Sequence, residues 1–178
     1  MKVAICEYGA GNVRSVRRAF ARLGAGETAD VANADLAVLP GVGSARAAMA
    51  GLQERGHDEA LVARFERGRP ILGICLGLQL ALDETEEDGG VAGLGLVAGR
   101  SVRLRDGRVP RIGWARVGDG GAFYFAHSYA ASTPHAVAWS EEIVAEVRCG
   151  AFVGCQFHPE KSGPAGAAYL ESVCRSLG

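Results

Sequence analysis

The sequence lacks a long hydrophobic run and an excess of charge of one sign. No apolar stretch approaches the roughly 20 residues that a membrane-spanning helix needs. The beginning, MKVAICEYG, has neither the longer apolar stretch nor the small-residue cleavage site of a signal peptide. The 19 basic and 20 acidic residues leave a formal net charge of -1, which gives no reason to expect nucleic acid or a membrane surface as a partner. We therefore expect a cytoplasmic protein.

Cysteine is present, but without a pattern. The five cysteines are scattered and form no Cys-x-x-Cys pair, which argues against a disulfide framework and against a zinc site. We expect most of them to be buried as small apolar residues, and we expect neither a metal ion nor a cofactor. The cysteines are Cys6, Cys75, Cys149, Cys155 and Cys174.

The chain also lacks internal repeats, low-complexity segments and linkers rich in proline or serine. Its 178 residues are enough for one hydrophobic core and leave little room for a second one. We therefore expect a single domain that spans residues 1–178.

The first half of the chain alternates between strand and helix patterns. Short apolar runs at 2–8, 36–39 and 70–74 are each followed by residues with helical spacing or by a helix-capping residue. Strands that alternate with helices predict a parallel sheet with helices on both faces. The helices are expected at about 13–23, 44–55, 58–67 and 76–82.

The second half contains short strand candidates separated by turns, and a closing helix at about 165–177. We interpret these strands as antiparallel hairpins added to the parallel core. The expected fold class is α/β, a three-layer sandwich with a mostly parallel central sheet plus antiparallel hairpin additions. The strand candidates are 102–104, 112–117, 122–126, 137–139, 144–149 and 152–157.

Cys75 lies in the segment 73–77, Gly-Ile-Cys-Leu-Gly, between a predicted strand and a predicted helix. This is the cysteine form of a nucleophile elbow, in which a tight turn pushes the side chain outward. The N–H groups at a helix start favour the thiolate, and the N–H of Leu76 is available to an oxyanion on a substrate carbonyl. A buried structural cysteine between two packing glycines explains these five residues equally well.

The segment 157–160, Phe-His-Pro-Glu, favours the catalytic interpretation. In an extended chain residues two apart point to the same side, so His158 and Glu160 are expected to lie together, and Pro159 disfavours a helical conformation at His158. A carboxylate beside an imidazole fixes its tautomer and stabilises the imidazolium. An isolated pair of this kind is usually a surface histidine with a solvated glutamate, but here a nucleophile is present as well.

Two more segments are candidates for contacts with a substrate. The segment 40–43, Pro-Gly-Val-Gly, ends a predicted parallel strand, and its glycines allow the Val42 peptide to present an N–H to an oxyanion. The segment 127–129, His-Ser-Tyr, follows an apolar run, and a hairpin turn explains it equally well. Trp114 and Trp139 are expected to be packing residues.

Taken together, the motifs resemble those of the class I glutamine amidotransferase family. The segments 73–79, Gly-Ile-Cys-Leu-Gly-Leu-Gln, and 156–160, Gln-Phe-His-Pro-Glu, carry this resemblance. Within the family the chain is similar to the glutaminase subunits of imidazole glycerol phosphate synthase, and the match runs from Lys2 to the final helix. The segments that carry this closer similarity are 8–12, 40–43, 113–114, 127–129 and 158–162.

The resemblance implies that the chain hydrolyses L-glutamine to glutamate and ammonia through a cysteine thioester. It makes Cys75 the nucleophile, His158 the general base and acid, and Glu160 the carboxylate that orients the histidine. The residues that it implies for binding the oxyanion and the glutamine are Gly41, Val42, Gly43, Leu76, Gln79, His127, Ser128 and Tyr129.

The resemblance also implies a partner, a (β/α)8-barrel cyclase subunit that forms a heterodimer with the chain. This partner uses the ammonia to form imidazole glycerol phosphate and aminoimidazole carboxamide ribotide in histidine biosynthesis. Asn12, Trp114 and Lys161 are expected at the interface. The alternatives are a glutaminase serving anthranilate or pyridoxal phosphate synthase, a γ-glutamyl cysteine hydrolase, and a binding subunit that has lost catalysis.

Overall fold

The computed structural model describes residues 1–9, 13–107 and 109–177. Within these ranges the helices are α1 (Val13–Arg22), α2 (Ala45–Glu54), α3 (His57–Glu66), α4 (Leu76–Ala81) and α5 (Gly163–Leu177), with 3-10 helices at Glu87–Gly89 and Pro159–Lys161. The strands are β1 (Lys2–Ile5), β2 (Gly26–Thr28), β3 (Leu36–Leu39), β4 (Ile71–Ile74), β5 (Leu82–Thr85), β6 (Val91–Ala92), β7 (Val97–Arg103), β8 (Arg111–Arg116), β9 (Ala122–His127), β10 (Tyr129–Ser132), β11 (Ala136–Ser140), β12 (Ile143–Cys149) and β13 (Phe152–Cys155).

The largest sheet has seven strands in the order β11-β12-β13-β4-β3-β1-β2. The five strands from β13 to β2 are parallel to one another, while β12 and β11 continue the sheet in antiparallel fashion. Every residue of β3, β4 and β13 is buried, as expected for parallel strands covered on both faces. The predicted mostly parallel central sheet is confirmed.

Side chains alternate along the central strands between two hydrophobic clusters. Ala37 and Leu39 of β3 belong to the cluster that α2, α3 and α4 cover. Leu36 and Val38 of the same strand belong to the cluster that contains residues of α1 and α5. Helices therefore cover both faces of the sheet, which confirms the three-layer sandwich.

The remaining strands form two small sheets beside the central one. β10, β7, β5 and β6 form a four-stranded sheet, and β8 and β9 form an antiparallel pair. Of the predicted hairpin strands, only β11, β12 and β13 join the central sheet. Strands β2, β5, β6 and β10 were not predicted, because these short segments lack a clear apolar alternation.

The start of α2 follows the expected capping chemistry. Ser44 precedes α2, and its hydroxyl accepts a hydrogen bond from the Ala47 N–H at 3.3 Å. Glu87 and Asp88 of the first 3-10 helix also accept from the first N–H groups of α2, which docks this acidic turn against the helix. Asn12, predicted to precede α1, lies outside the described residues.

Both tryptophans of the chain lie at the surface and not in the core. Trp114 is 59% exposed and Trp139 is 47% exposed, so the prediction that they are packing residues was wrong. Trp114 lies on β8, where alternate residues point away from the protein body, and Ile112 on the same face is 64% exposed. None of the described helices combines the length and the hydrophobicity that spanning a bilayer requires.

Candidate active site

Cys75 occupies a tight turn between β4 and α4, as the elbow pattern predicts. Its backbone angles are φ 53° and ψ -108°, a conformation that a residue with a Cβ adopts only at a cost. The Cys75 N–H donates to the carbonyl of Cys155 on the neighbouring strand at 2.7 Å. The sheet therefore holds the strained turn in place.

Glycines allow other chain segments to approach this turn closely. A Cβ on Gly77 would lie 1.8 Å from the carbonyl oxygen of Leu39, so only glycine fits between the elbow and β3. A Cβ on Gly41 would lie 2.4 Å from the Cβ of Leu76. The segment 40–43 consequently packs directly against the elbow.

His158 and Glu160 form a buried pair. Nδ1 of His158 lies 2.8 Å from Oε1 of Glu160, and the two side chains are only 2% and 4% exposed. The chain from Pro159 to Lys161 is a 3-10 helix, so the expected extended link between the two residues was wrong. The proline at its first position stabilises this turn, which brings the carboxylate back to the imidazole.

The environment of His158 favours its protonated form. Burial lowers the pKa of His158, but its interactions with Cys75 and Glu160 outweigh burial and raise that pKa to about 9. Nε2 is buried and makes no hydrogen bond to any described atom. Because Nδ1 engages Glu160, Nε2 is the nitrogen left to exchange a proton with the Cys75 thiol.

Tyr8 holds the segment beside the elbow. Its hydroxyl donates to the carbonyl of Pro40 at 2.6 Å in a buried position. Burial raises the pKa of Tyr8, and the charge of Cys75 raises it further, so the hydroxyl keeps its proton. Gly43 has a φ of +107°, which glycine adopts without strain.

The thiol of Cys75 opens into a pocket of about 280 Å³. Larger clefts exist in the described part of the molecule, but Cys75 does not line them. The lining residues predicted from the sequence are Val42, Gly43, Cys75, Leu76, Gln79, His127, Ser128 and Tyr129. The lining residues that the sequence analysis missed are Glu87, Pro110, Ile112 and Ala126.

Glu87 supplies a carboxylate to this pocket. Burial raises the pKa of Glu87, and one of its oxygens accepts a hydrogen bond from the Ala45 N–H at 3.1 Å. The residue belongs to the acidic stretch 83–88, Asp-Glu-Thr-Glu-Glu-Asp, which has no periodicity that distinguishes one carboxylate from the others. Nothing in the sequence therefore indicates that Glu87, among these carboxylates, lines the pocket.

His127 and Gln79 are fixed by the same backbone carbonyl. Nδ1 of His127 lies 2.9 Å from the carbonyl oxygen of Tyr129, and Nε2 of Gln79 donates to that oxygen at 2.8 Å. Burial lowers the pKa of His127 to about 4, so the ring is neutral near pH 7. Since Nδ1 must then carry the proton that it donates, Nε2 is an acceptor.

Trp114 and Lys161, two of the residues predicted for a partner interface, do not line the pocket. Trp114 packs edge-on against Tyr124, with ring centroids 6.1 Å apart, and Nζ of Lys161 lies 5.9 Å from the centroid of the Tyr124 ring. Asn12 is not among the described residues. Trp114, Tyr124 and Lys161 thus form one surface cluster beside the site, which we call the Trp114 cluster.

Known proteins resemble this chain in sequence and in fold. The model of the family "Glutamine amidotransferase class-I" matches residues 7–176. The chain is 41% identical to an "Imidazole glycerol phosphate synthase subunit HisH" of Thermus thermophilus, over 96% of this chain and 95% of that protein. It is 38% identical to the protein of the same name from Chlorobaculum tepidum, over 96% of this chain and 98% of that one.

Two further comparisons extend this result. The "Imidazole glycerol phosphate synthase hisHF, chloroplastic" of Arabidopsis thaliana is 40% identical over 94% of this chain, which covers 33% of that longer protein. A solved "Crystal structure of glutamine amidotransferase" has the same fold, with a TM-score of 0.76 at 21% identity over 97% of this chain and 98% of that one. The chain therefore belongs to the class I glutamine amidotransferase family.

Proposed function

We propose that the chain is the glutaminase subunit of imidazole glycerol phosphate synthase and acts in histidine biosynthesis. The observation that carries the proposal is the strained Cys75 in the wall of a pocket, next to the buried pair of His158 and Glu160. The chain is about 40% identical, over nearly its whole length, to proteins that bear this subunit's name. Those names favour it over a subunit of anthranilate or pyridoxal phosphate synthase.

The first half of the reaction forms a thioester. Nε2 of His158 takes the proton of Cys75, and the thiolate attacks the side-chain carbonyl carbon of glutamine. The carbonyl oxygen becomes an oxyanion, which the N–H of Leu76 and an N–H of the segment 41–43 stabilise. When the intermediate collapses, the carbon–nitrogen bond breaks, and His158 gives its proton to the departing nitrogen, so ammonia leaves.

The second half releases glutamate. His158 removes a proton from a water molecule, and the water attacks the thioester carbon. The carbon–sulfur bond then breaks, Cys75 leaves as the thiolate, and His158 returns the proton to the sulfur. Glu160 accepts a hydrogen bond from Nδ1 throughout, which keeps Nε2 directed at the reacting atoms and stabilises the imidazolium. Cys75 and Glu160 raise the pKa of His158, which favours its charged form beside the free thiolate.

The other pocket residues fit the amino-acid end of glutamine. Glu87 supplies a carboxylate and His127 a neutral acceptor nitrogen, and both groups suit an α-ammonium group. Ser128 brings a hydroxyl to the same pocket and suits the α-carboxylate. A pocket of about 280 Å³ is the right scale for one amino acid rather than for a peptide, which disfavours a hydrolase of γ-glutamyl peptides.

The proposed partner is a (β/α)8-barrel cyclase subunit that forms a heterodimer with the chain. The exposed Ile112 lines the pocket and lies on the same face of β8 as Trp114, so an apolar surface continues from the pocket to the Trp114 cluster. Such a surface at the site entrance suits a protein partner that receives the ammonia. We place Asn12 at the same interface on the resemblance alone.

The test uses the complex of the chain with the cyclase subunit of the same organism. We expect Cys75→Ser to abolish synthesis of imidazole glycerol phosphate from glutamine and to leave synthesis from added ammonium salt intact. The reason is that Cys75 acts only in amide hydrolysis, whereas the cyclase consumes free ammonia. Both rates are measured on the wild-type complex and on the variant complex. Loss of both activities in a folded, partner-bound variant would contradict the proposal, as would a wild-type complex that cannot use glutamine.

A further inference from the structure

Gln156 lies directly between the nucleophile and Gln79. It follows β13, its backbone N–H donates to the carbonyl of Ala145 at 2.9 Å, and its side chain is completely buried. Nε2 of Gln156 lies 3.5 Å from the sulfur of Cys75, and Oε1 lies 3.1 Å from Nε2 of Gln79. Neither half of the glutaminase reaction assigns a role to this carboxamide.

The hydrogen bonds determine which way the carboxamide points. The carbonyl of Tyr129 only accepts hydrogen bonds, so the atom of Gln79 that faces it at 2.8 Å must be the nitrogen. That nitrogen has one hydrogen left, which points to Gln156. The facing atom of Gln156 must therefore be its oxygen, and its NH2 group must face the sulfur of Cys75.

We propose that Gln156 is a further catalytic residue, whose N–H donates to Cys75 Sγ and stabilises the thiolate that attacks glutamine. The inference rests on the proposed function, because only a nucleophilic cysteine benefits from such a donor. The proton of the thiol goes to His158 Nε2, as above, and Gln156 itself exchanges no proton.

The burial of the site makes this donor important. Cys75 is only 5% exposed, so water can supply little hydrogen bonding to a negative sulfur, and a fixed donor replaces it. The same donor again stabilises the sulfur when the thioester breaks and the thiolate leaves.

Gln156 is uncharged, so replacing it with another uncharged residue leaves every charge around Cys75 unchanged. Among the described residues, the titratable groups that face Cys75 or share its pocket are Tyr8, Glu87, His127, Tyr129, Cys155 and His158.

The experiment compares two variants of the full chain with the wild type. Gln156→Met fills a similar volume without any donor. Gln156→Glu keeps an oxygen for Gln79 but places an oxygen instead of NH2 against the sulfur and adds an acidic group, so Gln156→Met is the variant that leaves the charges around Cys75 unchanged. Alkylation of Cys75 by iodoacetamide is followed from about pH 5 to pH 10 and quantified on the peptide that contains Cys75. Glutamine hydrolysis is measured on the complex with the cyclase subunit.

We expect the midpoint of the alkylation profile to rise by about one pH unit or more in both variants, because each of them removes the hydrogen bond to the charged sulfur. We expect kcat for glutamine hydrolysis to fall about tenfold with little change in KM, because the donor acts on the sulfur and not on bound glutamine. If Gln156→Glu fails to fold, Gln156→Met decides alone.

An unchanged alkylation midpoint in a folded variant would overturn the inference, since a side chain that only fills space does not alter thiolate formation. Failure of the proposed function gives a different result. In that case the wild-type complex would not hydrolyse glutamine, whereas the alkylation profiles of the three proteins could still be compared.

Discussion

At the scale of single residues, Glu160 is the group whose removal tests the mechanism most simply. Glu160→Gln keeps the shape of the side chain but removes the charge that stabilises the imidazolium of His158. We expect kcat for glutamine hydrolysis to fall about 100-fold or more, the usual cost of disabling a general base. The assay is glutamate release by the complex, with synthesis from added ammonium as the control that the complex is intact.

Glu160→Gln should also change how the free energy of unfolding depends on pH. The pKa of His158 is raised from its ordinary 6.5 to about 9 in the folded chain, and Glu160 is one cause. Protonation of His158 therefore stabilises the fold fully below about pH 6.5, and this contribution is lost as the pH rises through 9. In Glu160→Gln the pKa falls, so the difference in unfolding free energy from the wild type should be largest below pH 6.5 and shrink towards pH 9.

Urea denaturation of both proteins across that pH range measures the difference. Curves that stay parallel from about pH 6 to pH 9.5 would show that Glu160 does not control the protonation of His158.

At the scale of elements, the site depends on how closely β3 approaches the elbow between β4 and α4. Gly77→Ala would place a methyl group 1.8 Å from the carbonyl oxygen of Leu39. We expect the variant to lose about 2 kcal/mol or more of unfolding free energy, and to lose glutaminase activity because the elbow must shift. Denaturation and glutamine hydrolysis measure the two effects.

The matched control is Gly26→Ala in β2, where an added Cβ meets nothing within 4 Å. We expect that variant to stay within about 0.5 kcal/mol of the wild type with full activity. A Gly77→Ala protein that is as stable and active as Gly26→Ala would mean that close packing against β3 does not shape the elbow.

The elements that could be predicted from the sequence are those with their own local signal. An apolar run predicted the position of β3, and Ser44 identified the start of α2. The strands β5 and β6 could not be predicted, because Leu82–Thr85 is mostly polar and Val91–Ala92 has only two residues. Both join a sheet whose other strands lie further along the chain, so tertiary pairing makes them strands.

At the scale of the whole molecule, the sequence predicted the residues of the site that lie in motifs and missed those that only the fold brings together. Cys75 lies in a local turn pattern, and His158 and Glu160 are near neighbours in the chain. Glu87 reaches the pocket because an acidic turn docks on α2. The contact of Gln156 with the sulfur depends on Gln79 and on the carbonyl of Tyr129, which lie 77 and 27 residues away along the chain.

The central claim is that Cys75 alone among the cysteines is a nucleophile in a glutamine pocket. Its most direct test is to treat the complex with a glutamine-derived diazoketone and to map the adduct by mass spectrometry. We expect modification of Cys75 alone and slower modification when L-glutamine is added, because both compounds occupy the same pocket. Comparable labelling of the half-buried Cys149 or Cys174, or labelling of Cys75 that L-glutamine does not slow, would contradict the account.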